Sequence, residues 1–84
     1  MNYAIEIKRN AQKSLLKITE PYQSKLIDAI YKLGKVPYGQ GCKKLSGRDA
    51  WRMRVGDYRV IYEVNDEDII ILVIKIAHRK EAYR

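Results

Sequence analysis

The sequence predicts an α+β fold, in which one twisted sheet carries two helices packed on one face. Three observations support this prediction. The chain opens with alternating apolar and polar residues, continues with two apolar stripes at helical spacing, and ends with three β-branched and aromatic segments separated by turn residues. The expected order is an N-terminal strand, a helical hairpin and a three-stranded antiparallel meander. With 84 residues, the chain is expected to form a single domain, 1–84.

The N-terminal half supplies the first strand and the helical hairpin. Residues 3–7 alternate between apolar and polar side chains, which predicts a strand with one buried face. Asn10 suits the N-cap of the first helix. Pro21, which is favoured in a first turn, starts the second helix, and Gly34 is expected to end it as a C′ glycine. The stripes expected to pack in the core are Ala11, Leu15, Leu16 and Ile18, then Tyr22, Leu26, Ala29, Ile30 and Leu33.

A glycine-rich loop is predicted at residues 34–48, before the last three strands. Its cations Lys43, Lys44 and Arg48 are consistent either with a solvated loop or with phosphate contact. The last two strands are expected at residues 58–64 and 68–77. The final strand is apolar at nearly every position, which predicts a central strand covered on both faces.

The most informative stretch is residues 51–62, which reads as a β-hairpin. Gly56 and Asp57 form a good two-residue turn, because glycine accepts the positive φ that such turns require. This turn sets Arg54 opposite Arg59. Strand alternation then divides the hairpin into an apolar, aromatic face and a basic face. The apolar face holds Trp51, Met53, Val55, Tyr58, Val60 and Tyr62, and the basic face holds Arg52, Arg54 and Arg59.

Two like charges opposite each other on a sheet cost stability, on the order of 0.2–1 kcal/mol. The basic face is therefore either a solvated surface or a place where cations are needed. The chain total also favours an anionic partner, since 17 Lys and Arg against 10 Asp and Glu give a net charge of +7. Nucleic acid or an acidic protein fits this charge better than a membrane surface does.

Composition narrows the remaining possibilities. The single Cys42 excludes an internal disulfide and a cysteine-built metal site. No stretch is long enough to span a bilayer and no signal peptide opens the chain, so we expect a cytoplasmic protein with no membrane partner. No acidic cluster suggests two-metal nuclease chemistry, and we expect neither a metal nor a cofactor.

Three motifs together resemble the RelE/ParE superfamily of bacterial and archaeal toxins. They are Lys-Leu-Ser-Gly at 44–47, the hairpin Trp-Arg-Met-Arg-Val-Gly-Asp-Tyr-Arg-Val-Ile-Tyr at 51–62, and His-Arg-Lys-Glu-Ala-Tyr at 78–83. The resemblance covers the whole chain in length and element order. It is closer to the RelE branch, the ribosome-dependent messenger-RNA endonucleases, than to the ParE branch, which inhibits DNA gyrase. It implies a cognate antitoxin protein, messenger RNA and the ribosomal A site as partners.

The resemblance also implies roles for individual residues. Arg59 matches the catalytic arginine of the third strand, and Arg79 matches the C-terminal arginine that contacts the scissile phosphate. Tyr83 matches the C-terminal tyrosine that orients the substrate or stacks on it. Arg52 and Arg54 stand where RelE proteins often carry lysine. Because arginine does not lose its proton, these two residues can stabilise charge but are poor candidates for a general base.

RNA can be cut without a metal through its own 2′-OH, which attacks the adjacent phosphorus and leaves a 2′,3′-cyclic phosphate and a 5′-OH. This reaction needs cations over the phosphorane, a base and an acid. Arg54, Arg59 and Arg79 are the candidate cations. His78, the single histidine of the chain, and Tyr83 are both candidate bases, and a third option is that no strong base exists. Further phosphate contacts are expected from Arg52, Lys43, Lys44, Arg48 and Lys80.

Two other functions remain open at this point. One is a gyrase inhibitor of the ParE type, which is not an enzyme. The other is a plain RNA-binding module. A neighbouring gene for a small antitoxin favours either toxin function over the module, and cleavage of messenger RNA during translation separates the RelE type from the ParE type.

Overall fold

The computed structural model describes residues 2–39, 41–47 and 49–82. Its elements in chain order are β1 (Ala4–Ile7), α1 (Arg9–Lys17), α2 (Tyr22–Leu33), β2 (Cys42–Lys44), β3 (Trp51–Val55), β4 (Tyr58–Asn65), β5 (Ile70–His78) and α3 (Arg79–Ala82). The strands form one sheet in the order β1-β5-β4-β3-β2. β1 runs parallel to β5, and the other neighbours are antiparallel. The predicted α+β fold is confirmed.

The predicted hairpin register is confirmed at all its positions. Val55 pairs with Tyr58, and Arg54 pairs with Arg59. Gly56 has φ 60°, the left-handed region that glycine enters without steric cost. The turn therefore determines which side chains share a face, as the sequence indicated.

The core lies between the helices and one face of the sheet. Met53, Val60 and Tyr62 are buried there, and Trp51 and Tyr58 pack against them. The helices contribute Ala11, Leu26, Ile30 and Leu33, and β5 contributes Ile71, Val73 and Ile76. Two predicted core positions are wrong, because the Leu16 side chain is 78% exposed and Tyr22 is 46% exposed. Both lie at the edge of their apolar stripe.

The other side of the sheet is called the outer face below. Cross-strand partners share a face, so the register places there Lys43, Arg52, Arg54, Arg59, Ile61, Lys75 and Ala77. Leu72 and Ile74 of β5 are only half-buried. The prediction that β5 is covered on both faces is therefore wrong, although the strand does lie between two others.

The predicted loop at residues 34–48 contains the edge strand β2, which the sequence did not indicate. β2 pairs with β3 and sets Lys43 opposite Arg52 and Lys44 opposite Trp51. A strand of three residues flanked by glycines has too little alternation to be recognised from its sequence. Its effect is to extend the row of cations on the outer face by one strand.

The prediction of Asn10 as an N-cap is wrong. The helix α1 begins at Arg9, and Lys8 occupies the N-cap without a side-chain hydrogen bond. The Nδ2 amide of Asn10 instead donates to the carbonyl oxygen of Ile74 at 3.1 Å. Asn10 therefore fastens α1 to β5 rather than capping its own helix.

Gly34 ends α2 as predicted, but for another reason. Its φ is −59°, so the residue does not need the left-handed conformation of a C′ glycine. A Cβ at this position would lie 3.0 Å from the carbonyl oxygen of Tyr3. The carbonyl oxygen of Gly34 accepts a hydrogen bond from the Tyr3 N–H at 2.7 Å. Glycine is required because the backbone of β1 passes so close.

Hydrogen bonds from three tyrosines hold the end of the sheet that lies away from the Gly56 turn. Tyr3 and Tyr38 both donate to the Asp66 carboxylate, at 2.6 and 3.1 Å. The Tyr62 hydroxyl donates to the Pro37 carbonyl oxygen at 2.6 Å.

Within the described ranges, no helix combines the length and the apolar character needed to cross a bilayer.

Candidate active site

Three of the predicted arginines line one cavity at the other end of the sheet. The cavity measures about 220 Å³, and it is called the arginine cavity below. Its lining residues are Arg54, Gly56, Asp57, Tyr58, Arg59 and Arg79. It is formed where the β3–β4 turn meets the end of β5 and the start of α3.

Two backbone constraints position the three arginines. Arg54 and Arg59 are cross-strand partners on the outer face. Arg79 is held to the hairpin turn, because its backbone N–H donates to the Asp57 carbonyl oxygen at 2.6 Å. The end of β5 is thereby fixed beside the turn, and the third guanidinium joins the other two.

The charge balance of the cavity suits an anion. Three guanidinium groups and the one carboxylate of Asp57 leave an excess of two positive charges, 3 − 1. The Asp57 Oδ1 lies 3.9 Å from the Arg79 Nη1, and both side chains are more than half exposed. An exposed ion pair of this kind contributes about 0–1 kcal/mol to stability. A phosphate can therefore replace the Asp57 carboxylate as the partner of Arg79 at little cost in free energy. Guanidinium forks match phosphate oxygens in geometry and bind them bidentately.

A row of cations continues from the cavity across the outer face. The row consists of the successive cross-strand partners Lys43, Arg52, Ile61 and Lys75, of which all but Ile61 are cations. Within the described part of the chain, the Nε atom of Arg52 is buried and has no hydrogen-bond partner. The row extends the positive surface beyond the arginine cavity, along a path that a phosphate backbone can follow.

Lys44 does not belong to this row. It pairs with Trp51, which places it on the helix side of the sheet, and its Nζ lies 3.7 Å from Asp49 Oδ1. Lys80 is exposed and follows Arg79 in α3. Arg48 and Tyr83, two further predicted site residues, lie outside the described residues.

His78 is not brought together with the arginines. It pairs with Tyr58, whose ring packs toward the helices, and the two rings meet edge to face with centroids 5.1 Å apart. The His78 Nδ1 accepts the backbone N–H of Lys80 at 3.2 Å. His78 therefore lines a separate cleft on the helix side of the sheet, together with Ser14 and Lys17 of α1.

Sequence reasoning assigned no functional role to Asp57, which it used only as the second residue of the hairpin turn. The structure gives Asp57 two contacts with Arg79, one from its backbone and one from its carboxylate. The sequence contained a signal for this contact. The β3–β4 turn, which contains Asp57, and the end of β5, which Arg79 follows, lie at the same end of an antiparallel sheet. Placing Asp57 next to Arg79 required the register between β4 and β5.

Comparison with known proteins agrees with this fold. A family model described as ParE toxin of the type II toxin–antitoxin system parDE matches residues 5–83. The RelE1 protein of Methanocaldococcus jannaschii is 32% identical over 88 residues, which cover 100% of this chain and 98% of that protein. The archaeal RelE–RelB complex from Pyrococcus horikoshii OT3 contains a chain that matches with a TM-score of 0.80 at 28% identity, covering 94% of this chain and 97% of that one.

The RelBE2 toxin–antitoxin complex from Mycobacterium tuberculosis contains a chain that matches with a TM-score of 0.84 at 21% identity, covering 94% of this chain and 100% of that one. At this identity the likeness shows the fold alone. The family model and the full-length RelE1 match carry the assignment, and the second adds which branch is nearer. On both grounds the chain belongs to the RelE/ParE superfamily of type II toxin–antitoxin toxins, on its RelE side.

Proposed function

We propose that this toxin is an endoribonuclease that cleaves messenger RNA on the ribosome and so inhibits translation. The observation that carries the proposal is the arginine cavity, in which Arg54, Arg59 and Arg79 surround a space of about 220 Å³. A cation cluster held by two backbone constraints, the Arg54–Arg59 pairing and the Arg79 hydrogen bond to the turn, is suited to a charge that develops in a transition state, because its donors do not have to reorganise.

In the proposed reaction the 2′-oxygen of the RNA forms a bond to the adjacent phosphorus and the bond to the 5′-oxygen breaks. The 2′-OH proton leaves to a base, and the departing 5′-oxygen takes up a proton. Arg59 and Arg79 hold the non-bridging oxygens, whose negative charge grows in the phosphorane. Arg54 adds charge from the neighbouring strand. The products are a 2′,3′-cyclic phosphate and a 5′-OH.

The base is not one of these arginines, since guanidinium keeps its proton throughout. His78 is a weaker candidate than its chemistry suggests, because its ring lies on the helix side of the sheet with Tyr58. Tyr83 follows α3 in the chain and remains a candidate for orienting the 2′-OH or accepting its proton. The ribosome then supplies the alignment of the attacking and leaving oxygens, a contribution of several orders of magnitude in rate.

We further propose that a cognate antitoxin covers the outer face and the arginine cavity. The similar solved structures include RelE proteins in complex with RelB antitoxins. An acidic segment of such a partner complements the net charge of +7. The proposed site of action is the cytoplasm, where translating ribosomes are found.

The test is a cleavage assay on programmed ribosomes. Purified toxin is mixed with ribosomes that hold a defined messenger RNA, and with the same RNA alone, and the cut sites are mapped by primer extension. We expect cleavage on the ribosome and almost none on free RNA. Equal cleavage of free RNA, abolished by EDTA, would contradict the proposal.

A second candidate function is inhibition of DNA gyrase. It is favoured by the match of the ParE family model to residues 5–83. A supercoiling assay with purified gyrase distinguishes the two candidates. Inhibition of gyrase, with no cleavage of messenger RNA on ribosomes, would replace the first proposal with the second.

A further inference from the structure

A second cleft lies directly behind the arginine cavity, on the helix side of the sheet. Its volume is about 540 Å³, and it is called the histidine cleft below. Its lining residues are Ser14, Lys17, Ile18, Thr19, Tyr58, Ile76 and His78. This volume lies within the range of roughly 300–1,000 Å³ in which small-molecule sites are found.

Part of the lining of the histidine cleft is apolar and aromatic. Ile18 and Ile76 line it together with the rings of Tyr58 and His78. The Tyr58 ring also lies 5.9 Å from the Tyr22 ring, so three rings form a continuous series from α2 to β5. Aromatic surface of this kind binds the flat faces of nucleic-acid bases regardless of sequence.

Every polar side chain that lines the cleft carries a hydrogen-bond donor. Because the His78 Nδ1 accepts the Lys80 N–H, a neutral ring carries its proton on Nε2. That N–H has no hydrogen-bond partner among the described residues. Lys17 adds an ammonium group, and none of the described lining residues is acidic. Free donors, one cation and no carboxylate point to an anionic ligand with a flat ring.

Chain continuity joins the histidine cleft to the arginine cavity. Tyr58 and His78 line the cleft, and each is followed in the sequence by an arginine of the cavity, Arg59 and Arg79. Neighbouring Cα atoms are about 3.8 Å apart, and strand side chains alternate between faces. The two sites therefore lie back to back across the end of the sheet, and Tyr58 lines both.

We propose that the histidine cleft binds one nucleotide of the single-stranded RNA, next to the phosphate held by the arginines. The base lies against the rings of Tyr58 and His78, and Lys17 contacts the backbone of that nucleotide. This inference rests on the proposed RNA cleavage for its substrate. In this arrangement His78 is a positioning residue, and the RNA strand turns around the end of the sheet between the two sites.

The test uses Lys17→Met and His78→Gln, with Lys8→Met as the matched control. Lys8 is exposed, precedes the first residue of α1, and does not line the cleft. The control loses the same charge as Lys17→Met. Binding of a short fluorescent single-stranded RNA to the whole toxin is measured by anisotropy, and the urea midpoint of each variant confirms that it folds.

We expect His78→Gln to weaken RNA binding by about fivefold or more, which is the lower end of the range for one stacked base. Lys17→Met should weaken binding more than the control does, because it removes a contact with the RNA backbone. The control should stay within about twofold, because an exposed distant charge is largely screened. On programmed ribosomes the cleft variants should need more toxin than the parent for half-maximal cleavage, whereas the Lys8→Met control should need the same amount as the parent.

The two proposals fail in different ways. If the parental toxin cleaves on ribosomes but the cleft variants bind RNA as tightly as the control, the histidine cleft is not a nucleotide site. If the parental toxin does not cleave but the variants lose RNA affinity, the cleft stands and the proposed function is wrong. A parental toxin that binds no single-stranded RNA at millimolar concentration also overturns the cleft.

Discussion

Replacement of Arg79 by alanine separates a role in chemistry from a role in folding. The backbone N–H of residue 79 still donates to the Asp57 carbonyl oxygen, at 2.6 Å in the parent, because alanine keeps that group. Among the described residues, the contact that the Arg79 side chain loses is an exposed ion pair with Asp57 at 3.9 Å. Such a pair is worth about 0–1 kcal/mol, so the free energy of unfolding should fall by less than about 1 kcal/mol.

The effect on cleavage should be much larger. Loss of one preorganised electrostatic donor lowers a rate by about 10²–10³-fold. Single-turnover cleavage on programmed ribosomes and the urea midpoint are measured on the same Arg79→Ala sample. Arg9→Ala is the control, since Arg9 is the exposed first residue of α1 and its loss changes the net charge equally.

Asp57→Asn completes the set by removing the carboxylate that competes with the substrate phosphate. It should cleave at least as fast as the parent. The reasoning is refuted if Arg79→Ala cleaves at the parental rate once the folded fraction is corrected for. It is refuted equally if Arg9→Ala loses as much activity as Arg79→Ala does.

Five further outcomes are expected. Burial raises the pKa of Tyr62 above its ordinary value near 10, so the free energy of unfolding should fall as the pH rises above 10, measured by urea midpoint, and less steeply in Tyr62→Phe. At neutral pH the free energy of unfolding of Tyr62→Phe should be about 1 kcal/mol lower than that of the parent, because the hydrogen bond to the Pro37 carbonyl oxygen is lost. Gly34→Ala should cost about 1–3 kcal/mol in the same assay, because its Cβ would meet the Tyr3 carbonyl oxygen at 3.0 Å. Arg59→Ala should lower single-turnover cleavage by about 10²–10³-fold. Antitoxin association, followed by stopped flow, should slow markedly at high salt.

The hairpin was predictable because two local rules act on it together. A glycine that tolerates positive φ fixed the turn at Gly56, and alternation then assigned every side chain of β3 and β4 to a face. The convergence of Arg54 and Arg59 follows from the sequence alone. The family resemblance predicted that Arg79 belongs to the same site. The contact of Arg79 with Asp57 was visible only in the folded structure.

The sequence of β5 did not show on which face of the sheet His78 lies, because apolar and polar residues do not alternate along this strand. Nearly every position of β5 is apolar, and the register shifts between Ile61 and Tyr62. Ile61 pairs with Lys75 and Tyr62 pairs with Val73, so Ile74 is an extra residue in β5. Lys75 therefore lies on the outer face and Val73 on the helix side, although the two residues are two positions apart. A count of alternate residues along this strand from either end gives the wrong face for half of it.

The local predictions that failed did so where tertiary contacts override propensity. Asn10 is a good N-cap residue, but its amide bonds to β5 instead. The strand β2 exists because β3 offers it an unpaired edge, and its three residues carry no signal of their own. The Asn10 contact depends on a strand that is distant in sequence, whereas β2 depends on β3, which follows it closely in the chain.

The most direct test of the central claim uses a messenger RNA with one 2′-deoxynucleotide at the mapped cleavage position. The proposed reaction takes its nucleophile from that 2′-OH and holds the phosphorane with Arg54, Arg59 and Arg79. On programmed ribosomes the parental toxin should cut the unmodified RNA and leave a 2′,3′-cyclic phosphate, and it should leave the deoxy-substituted RNA intact at that position. Cleavage of both messages at the same rate would contradict the account.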